Sequence, residues 1–118
     1  MLEKHTGGCH CGKVRFEVQV DVSGQAIECN CSHCQGKGLI LMFVSASQFT
    51  LQSGEGDMQE YLFNKKLIRH MFCTTCGVEA FAYGKDKEGN DTVALNLRWI
   101  DGIDLTTLNK MPFNGKDY

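Results

Sequence analysis

The sequence predicts a mostly β domain, and three observations support this class. Short stretches of alternating apolar and polar residues recur between glycine-containing turns, and none has the longer period of an amphipathic helix. Thirteen glycines against one proline indicate many tight turns. Seven cysteines fall in three close clusters, and a metal ion shared by distant clusters would cross-link the short elements of the chain. At 118 residues and 13.2 kDa, a single domain over residues 1–118 is expected.

The clearest strand lies in the first quarter of the chain. Gly7 and Gly8 predict a turn, and the residues from 14 to 20 then alternate between apolar and polar side chains. This alternation is typical of a strand with one buried face. A turn at 21–24 leads to a short strand at 26–28, which carries the chain to Cys29.

The remaining elements are also short. The apolar run 39–44 predicts a buried strand, although its periodicity leaves a buried helix open. One helical turn is predicted at 45–49, and a second begins at the capping residue Asp104. The tail from 111 to 118 has no periodicity. Further strands are predicted at 58–63, 80–83 and 91–97, and residues 67–72 lead into Cys73.

The cysteine spacing predicts two metal sites of different kinds. The cysteines form one triplet and two pairs: Cys29, Cys31 and Cys34; Cys9 and Cys11; Cys73 and Cys76. Thiolate is a soft ligand that suits zinc, and a structural zinc takes four protein ligands where a catalytic zinc takes three. We therefore expect two zinc ions per chain. The pairs would form a closed four-sulfur site, and the triplet would form a site with one open position.

Two other uses of the cysteines compete with zinc binding. Disulfides are disfavoured because an odd number of cysteines leaves one thiol over, and because partners two residues apart would close a strained ring. Four cysteines can also hold an iron–sulfur cluster, and this alternative to zinc stays open although the spacing differs from the ferredoxin patterns.

Charge and hydropathy exclude several function classes. The formal net charge is −2 and the sequence pI is about 6.0, so no basic surplus predicts nucleic-acid binding. No apolar run is long enough to predict a membrane span, and the first residues do not form a secretory signal. A cytoplasmic location is therefore expected, where clustered cysteines usually serve metal binding or catalysis. Nothing in the sequence predicts the oligomeric state.

Three ordered motifs resemble a known family. They are Gly7-Gly8-Cys9-His10-Cys11-Gly12, Cys29-x-Cys31-Ser32-x-Cys34 and Phe72-Cys73-x-x-Cys76-Gly77. With Asn96-Leu97-Arg98 and Phe113-Asn114-Gly115 near the end, they are similar to the glutathione-dependent formaldehyde-activating enzyme family, also called the centromere protein V domain family.

The resemblance implies a fold, metals and an activity. The family fold is Mss4-like, with coiled and mostly antiparallel sheets pinned by zinc. The two cysteine pairs match the structural zinc ligands, and the triplet matches the ligands of a catalytic zinc. The implied reaction joins formaldehyde and glutathione into S-(hydroxymethyl)glutathione, and many members are described as carbon–sulfur lyases. The implied partners are a small thiol such as glutathione and an aldehyde.

Three residues in or just after the triplet are candidates for catalysis. His33, Gln35 and Lys37 are the nearest groups in sequence that could supply a proton or hydrogen bond to an oxyanion. A simpler interpretation is that Lys37 is merely solvated. A fourth ligand such as His33 would close the second site, and the protein would then be a non-enzymatic zinc-binding structural or interaction module.

The sequence predicts no catalytic role for five other side chains. His10 is expected to point away from the metal, and Arg98 to form a surface ion pair rather than to hold a carboxylate of the thiol substrate. His70 has no supporting context in the sequence. Trp99 and Phe43 are expected in the hydrophobic core.

Overall fold

The computed structural model describes residues 2–29, 36–62, 68–86 and 88–113, which carry ten strands. These are β1 (Glu3–Gly8), β2 (Arg15–Val20), β3 (Gln25–Cys29), β4 (Leu41–Ser45), β5 (Phe49–Ser53), β6 (Met58–Tyr61), β7 (Arg69–Cys73), β8 (Phe81–Lys85), β9 (Asp91–Asn96) and β10 (Asn109–Phe113). Short 3-10 turns occupy Ala46–Gln48, Leu97–Trp99 and Leu105–Thr107. The mostly β class predicted from the sequence is confirmed. The Mss4-like assignment stays a prediction.

The strands form two sheets. The small sheet has the order β1-β2-β5, and the large sheet has the order β10-β3-β4-β9-β8-β7-β6. Neighbouring strands pair antiparallel, except that β10 lies parallel to β3. No helix in the described ranges is long and apolar enough to span a membrane.

Aromatic side chains join the two sheets. Phe16 on β2 and Phe49 on β5 belong to the small sheet, and Phe81 on β8 belongs to the large one. The ring centroids of Phe49 and Phe81 are 4.8 Å apart, and those of Phe16 and Phe49 are 5.2 Å apart. Phe16 is fully buried. Rings at these separations pack favourably beyond the area that they bury, so this aromatic cluster is a central part of the core.

The large sheet also buries part of its second face. Val93 and Leu95 on β9 point into the main core, while Ala94 packs with Leu41 and Ala82 in a smaller cluster on the other face. β9 is therefore covered on both sides, as expected of a central strand. Phe43 lies opposite Ala94 in the register but is 52% exposed. The prediction that Phe43 lies in the core is therefore wrong.

Gly7 and Gly8 end strand β1 instead of forming the predicted turn. Gly7 pairs with Phe16 across the small sheet. A Cβ atom on Gly7 would lie 2.6 Å from the carbonyl oxygen of Trp99 and 2.7 Å from Cζ of Phe16. The glycine is therefore needed for close packing in a strand, which a sequence pattern does not distinguish from a turn.

The structure has a strand at the start of the tail, where the sequence shows no periodicity. Strand β10 spans Asn109–Phe113, and Met111 lies opposite Ile27 of β3. Pro112 is compatible with this strand because β10 lies at the sheet edge, where proline is tolerated. Residues 114–118 lie outside the described residues.

Both predicted helical turns are present. Ser45 caps the turn Ala46–Gln48, and Asp104 caps the turn Leu105–Thr107 by accepting a hydrogen bond from the Thr106 backbone N–H. The Asp104 Oδ1 to Thr106 N distance is 3.0 Å. These caps are local, which explains why the sequence indicates them.

Candidate metal centre

The first cysteine pair lies in a tight turn between β1 and β2. The backbone N–H of Cys9 donates to the carbonyl oxygen of Val14 at 3.0 Å, and that of Gly12 donates to the Cys9 carbonyl at 3.3 Å. The Val14 N–H points at the Cys9 sulfur, with 3.3 Å between N and Sγ. The turn thus presents the sulfur atoms of Cys9 and Cys11, which are 3.6 Å apart.

The second pair lies in a similar turn between β7 and β8. The Cys73 N–H donates to the carbonyl oxygen of Val78 at 3.0 Å, and the Gly77 N–H donates to the Cys73 carbonyl at 2.8 Å. Gly77 has a φ of 79°, which favours glycine. The Thr75 N–H donates to the Cys73 sulfur at 3.4 Å. The two cysteine turns therefore share one pattern of backbone hydrogen bonds.

The two turns bring their four sulfur atoms together. The sulfurs of Cys9, Cys11, Cys73 and Cys76 all lie within 4.8 Å of one another, and those of Cys11 and Cys73 are 3.6 Å apart. A tetrahedral zinc site with Zn–S distances of about 2.3 Å requires sulfur–sulfur distances of about 3.8 Å. The cluster can therefore hold one metal ion, and its donors fit zinc. Its ligands come from both sheets, because β1 belongs to the small sheet and β7 to the large one.

The electrostatics of the cluster favour a cation. Burial opposes ionisation of Cys76, but the backbone N–H groups of Val78 and Cys11 and the neighbouring thiols lower its pKa to about 6. Burial likewise opposes ionisation of Cys73, yet the N–H groups of Cys76 and Thr75 lower its pKa.

Cys11 behaves in the opposite way. The Lys13 N–H favours its thiolate, but burial and the three neighbouring cysteines outweigh this and raise its pKa to about 11. Several thiolates at such short distances repel one another, so the Cys11 sulfur keeps its proton at neutral pH when no cation is present. A divalent ion would replace that proton.

A second group of polar side chains surrounds the buried carboxylate of Glu79. This side chain is 2% exposed, its Oε1 is 3.0 Å from Lys37 Nζ, and its Oε2 is 2.9 Å from His70 Nδ1. Burial raises the pKa of Glu79, but the hydrogen bond and charge of His70, followed by those of Lys37, lower it below its ordinary value. The ammonium of Lys37 also lies 5.2 Å from the centroid of the Phe72 ring. We call Lys37, Glu79 and His70 the carboxylate triad.

Comparisons with known proteins find similarity over most of the chain. Residues 4–110 match the family model described as glutathione-dependent formaldehyde-activating enzyme. The chain belongs to this family. A crystal structure of a Rhodobacter sphaeroides protein is also similar, with a TM-score of 0.78 and 27% sequence identity. That similarity covers 91% of this chain and 97% of the other.

The site residues predicted from the sequence fall into two groups. The structure brings the two cysteine pairs together and places Lys37 against Glu79. Strand β3 ends at Cys29. The Cys29 side chain and four predicted site residues lie outside the described residues: Cys31, His33, Cys34 and Gln35. The second metal ion and the catalytic roles therefore stay predictions.

Sequence reasoning missed the carboxylate triad of this family member. His70 seemed to lack context, yet it is buried against Glu79. The available signal was the position of Glu79. It is a single carboxylate between Val78 and Ala80, directly before the buried strand β8. Such a residue in an apolar stretch is unusual enough to predict a buried partner.

Three other side chains take structural positions near these sites. His10 is exposed and contacts the edge of the half-buried Trp99, with 5.9 Å between ring centroids. The Arg98 guanidinium donates from Nε to the Gly38 carbonyl oxygen at 2.6 Å. Arg98 thus holds the backbone shortly after the cysteine triplet.

Proposed function

We propose that this protein is a zinc-dependent enzyme that forms or cleaves the carbon–sulfur bond between a small thiol and an aldehyde, as in S-(hydroxymethyl)glutathione. Membership of the formaldehyde-activating family, over residues 4–110, is the observation that carries the proposal. The reaction class is that of a carbon–sulfur lyase, and a cytoplasmic location with reduced thiols suits it.

The proposal divides the seven cysteines between two zinc ions. The two pairs would hold a structural ion, which is supported by the closeness of their four sulfurs. The triplet Cys29, Cys31 and Cys34 would hold the second ion with three thiolates and one open position. Zinc bound there would lower the pKa of an entering substrate thiol.

The proposed reaction needs no change of oxidation state. The substrate thiol loses its proton, and the sulfur lone pair forms a bond to the aldehyde carbon. The π electrons of the carbonyl move onto oxygen, which then takes up a proton to give a hydroxymethyl thioether. The reverse sequence breaks the same bond and releases thiol and aldehyde. The protein must therefore fix the sulfur near the carbon and supply a donor to the oxygen.

Lys37 is the candidate donor with a described environment. Its ammonium lies 3.0 Å from Oε1 of Glu79 and 5.2 Å from the centroid of the Phe72 ring, and its side chain is 34% exposed. The ammonium therefore remains accessible to a ligand while its position is restrained. It can donate a hydrogen bond to a developing alkoxide. His33 and Gln35 remain further candidates for this role.

The function is tested by following adduct formation from formaldehyde and glutathione with and without the zinc-loaded protein. We expect faster formation with protein, and Cys31→Ser is expected to abolish the gain because a serine hydroxyl is a poor zinc ligand at neutral pH. Equal rates with and without wild-type protein would exclude this substrate pair. The melting temperature of Cys31→Ser protein is the control, since an unchanged value means that the lost activity does not come from unfolding.

The alternative is a non-enzymatic zinc module that binds a partner protein. The exposed ring of Phe43, next to the covered residues Leu41 and Ala94, is the observation that favours it. This alternative predicts a second zinc with no exchangeable ligand and no acceleration of any thiol–aldehyde reaction.

A further inference from the structure

The segment of residues 96–101, which follows the central strand β9, contacts β1 just before the first cysteine turn. The backbone N–H of Asp101 donates to the Thr6 carbonyl oxygen at 2.8 Å. Ile100 forms an antiparallel β-bridge with Gly7, two residues before the first cysteine. The strand that leads into the first cysteine turn is therefore paired with a segment that continues from the large sheet.

The Asp101 carboxylate fixes the other side of the same turn. Arg15, the first residue of β2, donates from Nη1 to Asp101 Oδ1 at 3.3 Å and from Nη2 to Oδ2. The Thr6 hydroxyl donates to Oδ2 at 2.7 Å. Exposed ion pairs usually contribute little, but a bidentate contact between arginine and a carboxylate is the geometry in which they do contribute. Asp101 therefore joins the residue that follows the turn to β1, which precedes it.

The other end of the 96–101 segment contacts the chain just after the second cysteine turn. The Asn96 N–H donates to the Ala80 carbonyl oxygen at 2.9 Å, and Asn96 Nδ2 donates to the Glu79 carbonyl oxygen at 3.0 Å. Asn96 Oδ1 accepts from the Arg98 N–H at 3.3 Å, which caps the 3-10 turn. An aspartate could also form this cap, but it has no N–H to donate to the Glu79 carbonyl. The amide of the buried Asn96 thus serves two purposes at once.

The 96–101 segment connects the two cysteine turns without using a cysteine side chain. Its contacts lie close to the metal ligands in the chain, since Gly7 precedes Cys9 by two residues and Glu79 follows Cys76 by three. One ion can bind all four sulfurs only when the two turns have the right separation. Contacts that fix this separation independently of the ion reduce the conformational freedom that is lost on binding.

We infer that Asn96 and Asp101 are positioning residues for the four-sulfur metal site and hold the two cysteine turns at the separation that one ion requires. Asp101 acts on the first turn through Arg15 and Thr6, and Asn96 acts on the second turn through the Glu79 carbonyl. This inference rests on the proposed function in one respect, namely that the two cysteine pairs bind a zinc ion. It depends neither on the triplet nor on the reaction.

The test replaces Asp101 by asparagine, which keeps the size of the side chain and removes its charge. Zinc-loaded protein is treated with iodoacetamide, and peptide mass spectrometry gives the alkylation rate of each cysteine. We expect Cys9 and Cys11 to react about 10-fold faster than in the wild type, which is the lower end of the loss when a group that supports a metal ligand is removed. Hydrogen–deuterium exchange of residues 5–16 should rise with it, while exchange in β4 stays unchanged.

A second variant tests the other end of the segment. Asn96→Ser keeps a capping oxygen but removes the amide that donates to the Glu79 carbonyl. We expect faster exchange in residues 72–80 and faster alkylation of Cys73 and Cys76. A purely structural role for the segment would instead raise exchange in β4 by the same factor as in the cysteine turns.

The matched control is Asp91→Asn. Asp91 also pairs with a cation, since its Oδ1 is 2.6 Å from Nζ of Lys85, but this exposed pair joins β8 to β9 and does not contact either cysteine turn. The control is expected to match the wild type in both measurements. Asp101→Glu keeps a carboxylate for Arg15 and should retain slow alkylation.

The possible results separate this inference from the proposed function. If the wild type does not accelerate adduct formation but Asp101→Asn exposes Cys9 and Cys11, the inference stands and the proposed reaction fails. If metal stays bound to the cysteine pairs and alkylation in Asp101→Asn is unchanged, the inference alone fails. An equal rise in exchange throughout the protein would also overturn it. If Asp101→Asn does not fold, Arg15→Gln removes the other half of the ion pair and takes its place in the same comparison.

Discussion

Replacement of Cys76 by serine is expected to unfold the domain at neutral pH. Cys76 belongs to the cluster that joins the turn between β1 and β2 to the turn between β7 and β8, and Cys11 and Cys73 are 62 positions apart in the chain. In small zinc domains the metal contributes about 10–16 kcal/mol to folding. A protein of ordinary stability has about 5–15 kcal/mol in total. Loss of the metal therefore removes most of the stability.

Circular dichroism and a melting curve measure this effect, and Cys34→Ser is the matched control. The same substitution in the triplet is expected to leave the protein folded and inactive, because we expect only the four-sulfur cluster to join distant segments. Cys9→Ser should behave like Cys76→Ser, and a strong chelator should unfold the wild type. Similar losses of fold in Cys34→Ser and Cys76→Ser would contradict the division between a structural and a second site.

The cysteine cluster could be predicted because its signal is chemical and local. Each pair is close in sequence, and a glycine follows each at the position where the turn closes, so the spacing alone indicates two chelating turns. The two turns are expected to meet because a structural zinc takes four ligands, and a two-sulfur site would leave it incompletely coordinated. Strand β2, with its alternating side chains, and the turn capped by Asp104 could also be predicted, because both signals are local.

Features that depend on distant neighbours could not be predicted. β10 is a strand because β3 lies beside it, and its own residues have no alternating pattern. Gly7 is required by Trp99, which is far away in sequence. The burial of Glu79 likewise depends on Lys37 and His70, which other segments supply. Each of these features is set by tertiary contacts that override local preference.

Two different kinds of interaction can join the two sheets. A metal ion bound by the four cysteines would connect them at the ends of β1 and β7, whereas the aromatic cluster connects them through the core. The first contribution depends on metal and on thiolate ionisation, while the second depends on the removal of apolar surface from water. A variant that weakens the second contribution should therefore leave metal binding intact.

Phe16→Ala is expected to lower the free energy of unfolding by about 3–5 kcal/mol. Phe16 is fully buried, and its ring centroid is 5.2 Å from that of Phe49 and 5.9 Å from that of Phe81. The substitution would leave a cavity between the sheets, which the rigid strands cannot fill by collapsing. Urea unfolding of the zinc-loaded protein measures the change, and one structural zinc per chain should be retained.

Phe43→Ala is the matched control, because the same atoms are removed from a ring that is 52% exposed on β4. Its effect is expected to stay within about 0.5 kcal/mol, as for most surface substitutions. Equal losses in the two variants would mean that Phe43 is covered in solution, which would favour the interaction module over the enzyme. A large loss for Phe16→Ala alone would instead place the main apolar contribution between the sheets, where the aromatic cluster lies.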